Sequence, residues 1–83
     1  MKRNTGTLEQ RTDRSRGFDA GNYGNAYESQ DWRAWSSKRN LNARSNEYRQ
    51  GALLGFFSSY ELLEIPDSLQ NIVSQLRKKF DEE

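Results

Sequence analysis

The stretch that most limits what this chain can become is EYRQGALLGFFSSYELLEIPD, residues 47–67, where Gly51 and Gly55 sit inside the densest run of apolar side chains. A second pair, Gly17 and Gly21, repeats the four-residue spacing. Each glycine in a helix interior costs about 1 kcal/mol relative to alanine, so something must offset four of them. The usual offset is the close approach of a neighbouring backbone, because glycine has no Cβ. Residues four apart share one helical face. The two pairs therefore predict two helices packed through small-residue faces, with Phe18, Tyr23, Tyr27, Phe56, Phe57 and Tyr60 flanking the crossing. A glycine-lined surface that admits a ligand or a partner's backbone is the other use of such a face. Small residues at this spacing also pair helices in membranes, but no apolar run here approaches the ~18 residues of a span.

A thin core is what the composition requires. Leu, Ile, Val and Phe supply 15 of the 83 residues, just under the ~20% level where disorder competes with folding. Disorder also needs a large net charge, and here it is only +1. The length suits one domain, so the expectation is a compact all-α domain of three or four helices over residues 7–83. Residues 1–6 are expected to be a flexible start.

Four segments carry helix signals. In IPDSLQNIVSQLRKKFDEE, Leu69, Ile72, Val73, Leu76 and Phe80 recur at helical spacing. Asp67 is placed to cap this helix and Gln70 to complete a capping box, with Pro66 stopping whatever precedes it. Upstream, Tyr48, Ala52, Phe56, Ser59, Tyr60 and Leu63 line one face of a helix that starts near Ser45 or Asn46 and meets no proline before Pro66. A shorter helix begins after Ser29 or Asp31 with Trp32 and Trp35 on one side, and the Asn- and Ser-rich RNLNARSN breaks it. The first helix runs from near Thr7 to near Glu28. At an offset of 33 residues Leu8, Arg11, Arg16 and Tyr27-Glu28 match Leu41, Arg44, Arg49 and Tyr60-Glu61, which suggests two related helices.

The side-chain inventory argues against catalysis. There is no Cys and no His, so thiolate chemistry, disulfides, the usual general base near neutral pH and the commonest metal ligand are missing. GFDAGNYG does not fit a dinucleotide loop and there is no phosphate loop. The carboxylates Glu61 and Glu64, and the terminal Asp81-Glu82-Glu83, read as solvated charge. The chain is thus expected to be a non-enzymatic binding protein with no cofactor or metal. Basic residues at the start lack an apolar run behind them, so no signal peptide is read there, and the expected setting is the cytoplasm.

Charge is arranged in blocks: residues 1–17 carry net +3, 18–31 net −3, 32–50 net +4 and 51–67 net −3. The segment DWRAWSSKRNLNARSNEYR interleaves Arg33, Lys38, Arg39, Arg44 and Arg49 with Trp32, Trp35 and Tyr48. Cations of this kind meet phosphates, and aromatics stack on bases or anchor a protein interface. Arg11, Arg14 and Arg16 offer further contacts to nucleic acid. The competing reading makes the tryptophans core and the cations ordinary wet surface.

RGFDAGNYG, Arg16 to Gly24, resembles the opening of the ribosome modulation factor family, and RSNEYRQG, Arg44 to Gly51, resembles its second basic-aromatic-glycine segment. Arg16, Phe18, Gly21, Gly24, Tyr48, Arg49 and Gly51 occupy the matching positions. The resemblance implies a small pair of helices and binding to ribosomal RNA and protein. This chain departs from the family in its near-neutral charge, its wider segment spacing and its added C-terminal helix.

The leading functional expectation is a regulator that works through protein contacts centred on Trp32 and Trp35, of the kind phages and mobile elements use on host proteins. The second is an RNA- or ribosome-binding module using both basic blocks. A third is self-association through the glycine faces or the C-terminal helix.

Overall fold

The computed structural model describes residues 12–81, so the expected flexible start and the helix onset near Thr7 lie outside the described residues. Four α-helices carry the fold, with no strand among the described residues: α1 (Asp13–Tyr23), α2 (Trp32–Lys38), α3 (Asn46–Phe56) and α4 (Asp67–Asp81).

Thr12 caps α1 by accepting from the Ser15 N–H at 3.0 Å. Ser45 caps α3 in the same way, accepting from Tyr48 N–H at 3.1 Å. A side-chain oxygen satisfies one of the orphan amides at each start. Asp13 accepts from the Ser45 hydroxyl at 2.9 Å, tying the two helix starts together.

From there α1 and α3 run parallel, because Gly17 faces Tyr48 and Gly21 faces Ala52 four residues further along both. A Cβ on Gly17 would strike the Tyr48 carbonyl, and a Cβ on Gly51 would strike that of Arg14. Gly21 and Gly55 stand in the same relation to the carbonyls of Ala52 and Phe18. Each glycine of one helix therefore seats against a carbonyl of the other, and the arrangement is reciprocal. Each carbonyl stands where a Cβ would have to go, so an approach this close requires a bare Cα. Since both glycine faces meet inside one chain, they are not available for pairing between chains.

Beyond Tyr23 the first helix widens into one π-helical turn, Gly24–Glu28, closed by Ser29 N–H donating to the Gly24 carbonyl at 2.9 Å. Residues 17–24 are thus helix throughout. Asp31 caps α2 by accepting from Ala34 N–H. The helix ends where Asn40 takes a left-handed conformation, φ 56°, which asparagine tolerates better than most residues. A 3-10 turn, Leu41–Ala43, then leads to α3.

Two boundary expectations are corrected. The third helix stops at Phe56 and does not run to Pro66. Arg77 of α4 donates to the carbonyls of Phe57 and Tyr60 at 2.9 and 2.8 Å, holding the chain in a turn there. Glu61 and Glu64, expected to be plain solvated charge, form a capping box around the 3-10 turn Leu62–Glu64. At α4 the helix already includes Asp67, and the Pro66 carbonyl accepts from Leu69 and Gln70. The Gln70 amide donates to Ile65 O and Asp67 Oδ1, so the predicted capping box is not the one that forms.

The core sits on α3, and a row of aromatic rings runs through it. Phe56 meets Trp32 and Trp35, each with ring centroids 5.2 Å away, and Phe57 at 5.0 Å. Tyr60 closes the row against Phe57 at 5.1 Å. Offset and edge-to-face pairs of this kind contribute beyond the area they bury. From α4, Val73 and Leu76 are buried against this core, while Leu69 and Phe80 are partly buried. Ile72, expected on the same covering face, is 44% exposed.

Candidate nucleic-acid interface

The basic-aromatic segment divides in the folded chain. Trp35 is 1% exposed and belongs to the core, so it is not an accessible partner anchor. Its indole N–H donates to Glu28 Oε1 at 2.8 Å. Gly24 lies so close to the indole that a Cβ there would overlap it. Tyr48 is also buried, at the glycine crossing, which corrects its assignment as a contact residue. Trp32 is half-buried against Phe56 and Phe57.

Three of the five cations remain outside. Arg33, Lys38 and Arg44 are exposed. Arg44 lies 4.6 Å above the Tyr48 ring, which fixes its stem without removing its charge from water. Arg39 pairs with Glu28 at 3.4 Å. Arg49 is half-buried, donates to Asn46 at 2.9 Å and has an Nε shut from solvent with no hydrogen-bond partner among the described residues. That makes Arg49 a part of the fold more than of a contact surface.

Glu28 is therefore a junction. Its carboxyl is held below the ordinary carboxylate range, first by the Trp35 indole N–H and then by the charges of Arg39 and Lys38. Slight burial opposes this. One carboxylate thus fastens the buried indole and orders Arg39 at the edge of the basic surface.

On α1 the nucleic-acid candidates separate. Arg11 lies outside the described residues. Arg16 is exposed, whereas Arg14 stacks over Phe80 at 4.2 Å. Two residues apart on a helix, they point to opposite sides. On the Arg16 side, Tyr23 and Tyr27 follow at helical spacing, 54% and 77% exposed, with ring centroids 5.0 Å apart. These tyrosines were expected to flank the glycine crossing and instead form an outward pair. Gly17 and Gly21 mark the inner face of this helix, and Tyr23, two positions past Gly21, falls on its outer side. That signal was present in the sequence.

No group of three or more metal-ligating side chains occurs among the described residues. Nor is any described helix long and apolar enough to cross a membrane. No protein-family model matches the chain, and no match was found among curated proteins or solved structures.

Proposed function

We propose that this chain is a small non-enzymatic binding protein whose partner is structured RNA, engaged through Arg16, Arg33, Lys38 and Arg44 with Tyr23 and Tyr27 as stacking surfaces. One observation carries the reading: Trp35 and Tyr48 of the basic segment are consumed by the core, while Arg33, Lys38, Arg44 and a separate tyrosine pair stay in water. Cations set the affinity for a phosphate backbone, and exposed rings accept unpaired bases. The resemblance to the ribosome modulation factor family supports the same class of partner. Of its matching positions, however, Gly21, Gly24, Gly51 and Tyr48 are buried. The shared residues mostly build the helix pair, and Arg16 is the matching cation left for contact.

Protein contact is the second reading, and it moves away from Trp35. Leu63, 89% exposed, and Leu62 stand beside the acidic Glu61 and Glu64 as an unfilled apolar edge.

Anisotropy of a labelled structured RNA, titrated at several salt concentrations, separates the two. RNA binding predicts that log K falls with log salt by roughly 0.7–0.9 per phosphate neutralised. Lys38→Gln and Arg44→Gln should each flatten that slope by about one. A salt-independent association, or none at low salt, would remove the RNA reading.

A further inference from the structure

Tyr23 and Tyr27 form a stacking surface of definite size. Side chains on a helix lean back over the preceding turn. Tyr27 thus lies over Tyr23, with ring centroids 5.0 Å apart and planes tilted by 44°. Stacked bases advance roughly 3.4 Å per strand, so a base held between two rings needs them parallel and about 7 Å apart. At 5.0 Å and 44° these two rings leave no such slot. The surface open for stacking is the outer face of Tyr27, which is 77% exposed. No later turn of the helix covers that face, because the helix ends at Glu28 and Ser29 is extended, φ −166°.

The ring is exposed, but the backbone beneath it is fixed. Gly24, three residues before Tyr27, packs against the Trp35 indole. Glu28, the next residue, accepts from the indole N–H at 2.8 Å. A ring on a backbone already placed loses less freedom on binding than one on a mobile loop. The carboxylate beside it is also engaged: Arg39 pairs with Glu28 at 3.4 Å, and the Lys38 charge acts on it too. These two cations bring the edge of the basic surface to the residue next to Tyr27.

We infer that the RNA partner presents a single unpaired nucleotide extruded from a helix, whose base stacks on the outer face of Tyr27 while the neighbouring phosphates lie toward Lys38. The inference rests on the RNA reading and narrows it. Fully paired RNA has no free base to offer. A single strand would find one open ring here, whereas proteins that hold single strands present several rings on which successive bases stack. A helix with one extruded base matches both parts of the surface: its backbone meets the cations, and its one free base meets the one open face.

The test measures, by anisotropy at low salt, binding of the whole chain to a fully paired RNA duplex, to the same duplex with one bulged nucleotide, and to the bulged strand alone. A second preparation carries 2-aminopurine at the bulge, whose fluorescence is quenched by stacking. The bulged duplex should bind roughly tenfold more tightly than the paired one, the scale of one base–aromatic stack, and its 2-aminopurine should be quenched. Tyr27→Ala should bring the bulged duplex down to the affinity of the paired one and abolish the quenching, and Tyr27→Phe should keep both effects. Lys38→Gln should weaken both duplexes and preserve their ratio. Equal affinity for the two duplexes, tightest binding of the single strand, or quenching that survives Tyr27→Ala overturns the inference and leaves the RNA reading standing. Binding to none of the three RNAs removes the RNA reading and this inference with it.

Discussion

A glycine inside a helix normally weakens it, and in this chain the sign reverses. Propensity alone would make Gly55→Ala stabilising by about 1 kcal/mol. The crossing places the new methyl against the Phe18 backbone carbonyl, which cannot rotate away. Overpacking of this kind typically costs 1–3 kcal/mol, so Gly55→Ala should lower the urea midpoint by the equivalent of about 2 kcal/mol. Glu28 gives a second residue-scale prediction. Its folded pKa is lowered, so its contribution to stability is full above the ordinary carboxylate range and is lost as pH falls through the folded value. Thermal melts of wild type should therefore weaken toward acid pH more steeply than those of Glu28→Gln. Parallel melting of the two would show that the Trp35 bond does not stabilise the fold. At this scale the sequence was legible where a spacing repeats, as at Gly17, Gly21, Gly51 and Gly55. It was not legible at Gly24, whose reason for being glycine is an indole eleven positions on, beyond a π-helical turn.

Helix starts were readable at Ser45 and Asp31, because capping is local, but the Thr12 cap was not read and Asp67, read as a cap, lies inside α4. The end of α2 at RNLNARSN was readable too, but the end of α3 was not, because it is set by Arg77, twenty residues away from Phe57. Ser58 and Ser59 favour a turn, but the apolar face running on to Leu63 concealed it. Arg77→Met should keep the stem packing and lose both bonds to the Phe57 and Tyr60 carbonyls. Bonds to a charged donor contribute about 1.5–3 kcal/mol, so a domain of this size should melt roughly 10 °C lower. Amide exchange should rise first in residues 57–61. An unchanged melting temperature would mean that the turn holds without its clamp. The amphipathic face of α4 was read correctly at Val73 and Leu76, and the exposure of Ile72 reflects how narrow a strip of α3 there is to cover.

Across the whole molecule, scarcity of apolar residues explains the division of labour. Glycine lets α1 and α3 touch along their backbones, so the few large rings can gather against α3, and the core draws Trp32, Trp35 and Tyr48 out of a segment whose Arg33, Lys38 and Arg44 stay in water. Whether an aromatic is core or contact depends on that three-dimensional demand, which is why the sequence left Trp35 open and misplaced Tyr23 and Tyr27. Aromatics of the basic segment build the fold, and on the proposed function Arg33, Lys38 and Arg44 meet the partner. Acrylamide quenching of the tryptophan emission, with and without structured RNA at low salt, tests this most directly. Trp35 should give a protected, blue-shifted fraction that RNA leaves unchanged while it binds, with any response confined to the half-buried Trp32. Two tryptophans that quench like free indole, or a protected fraction that RNA alters, would contradict it.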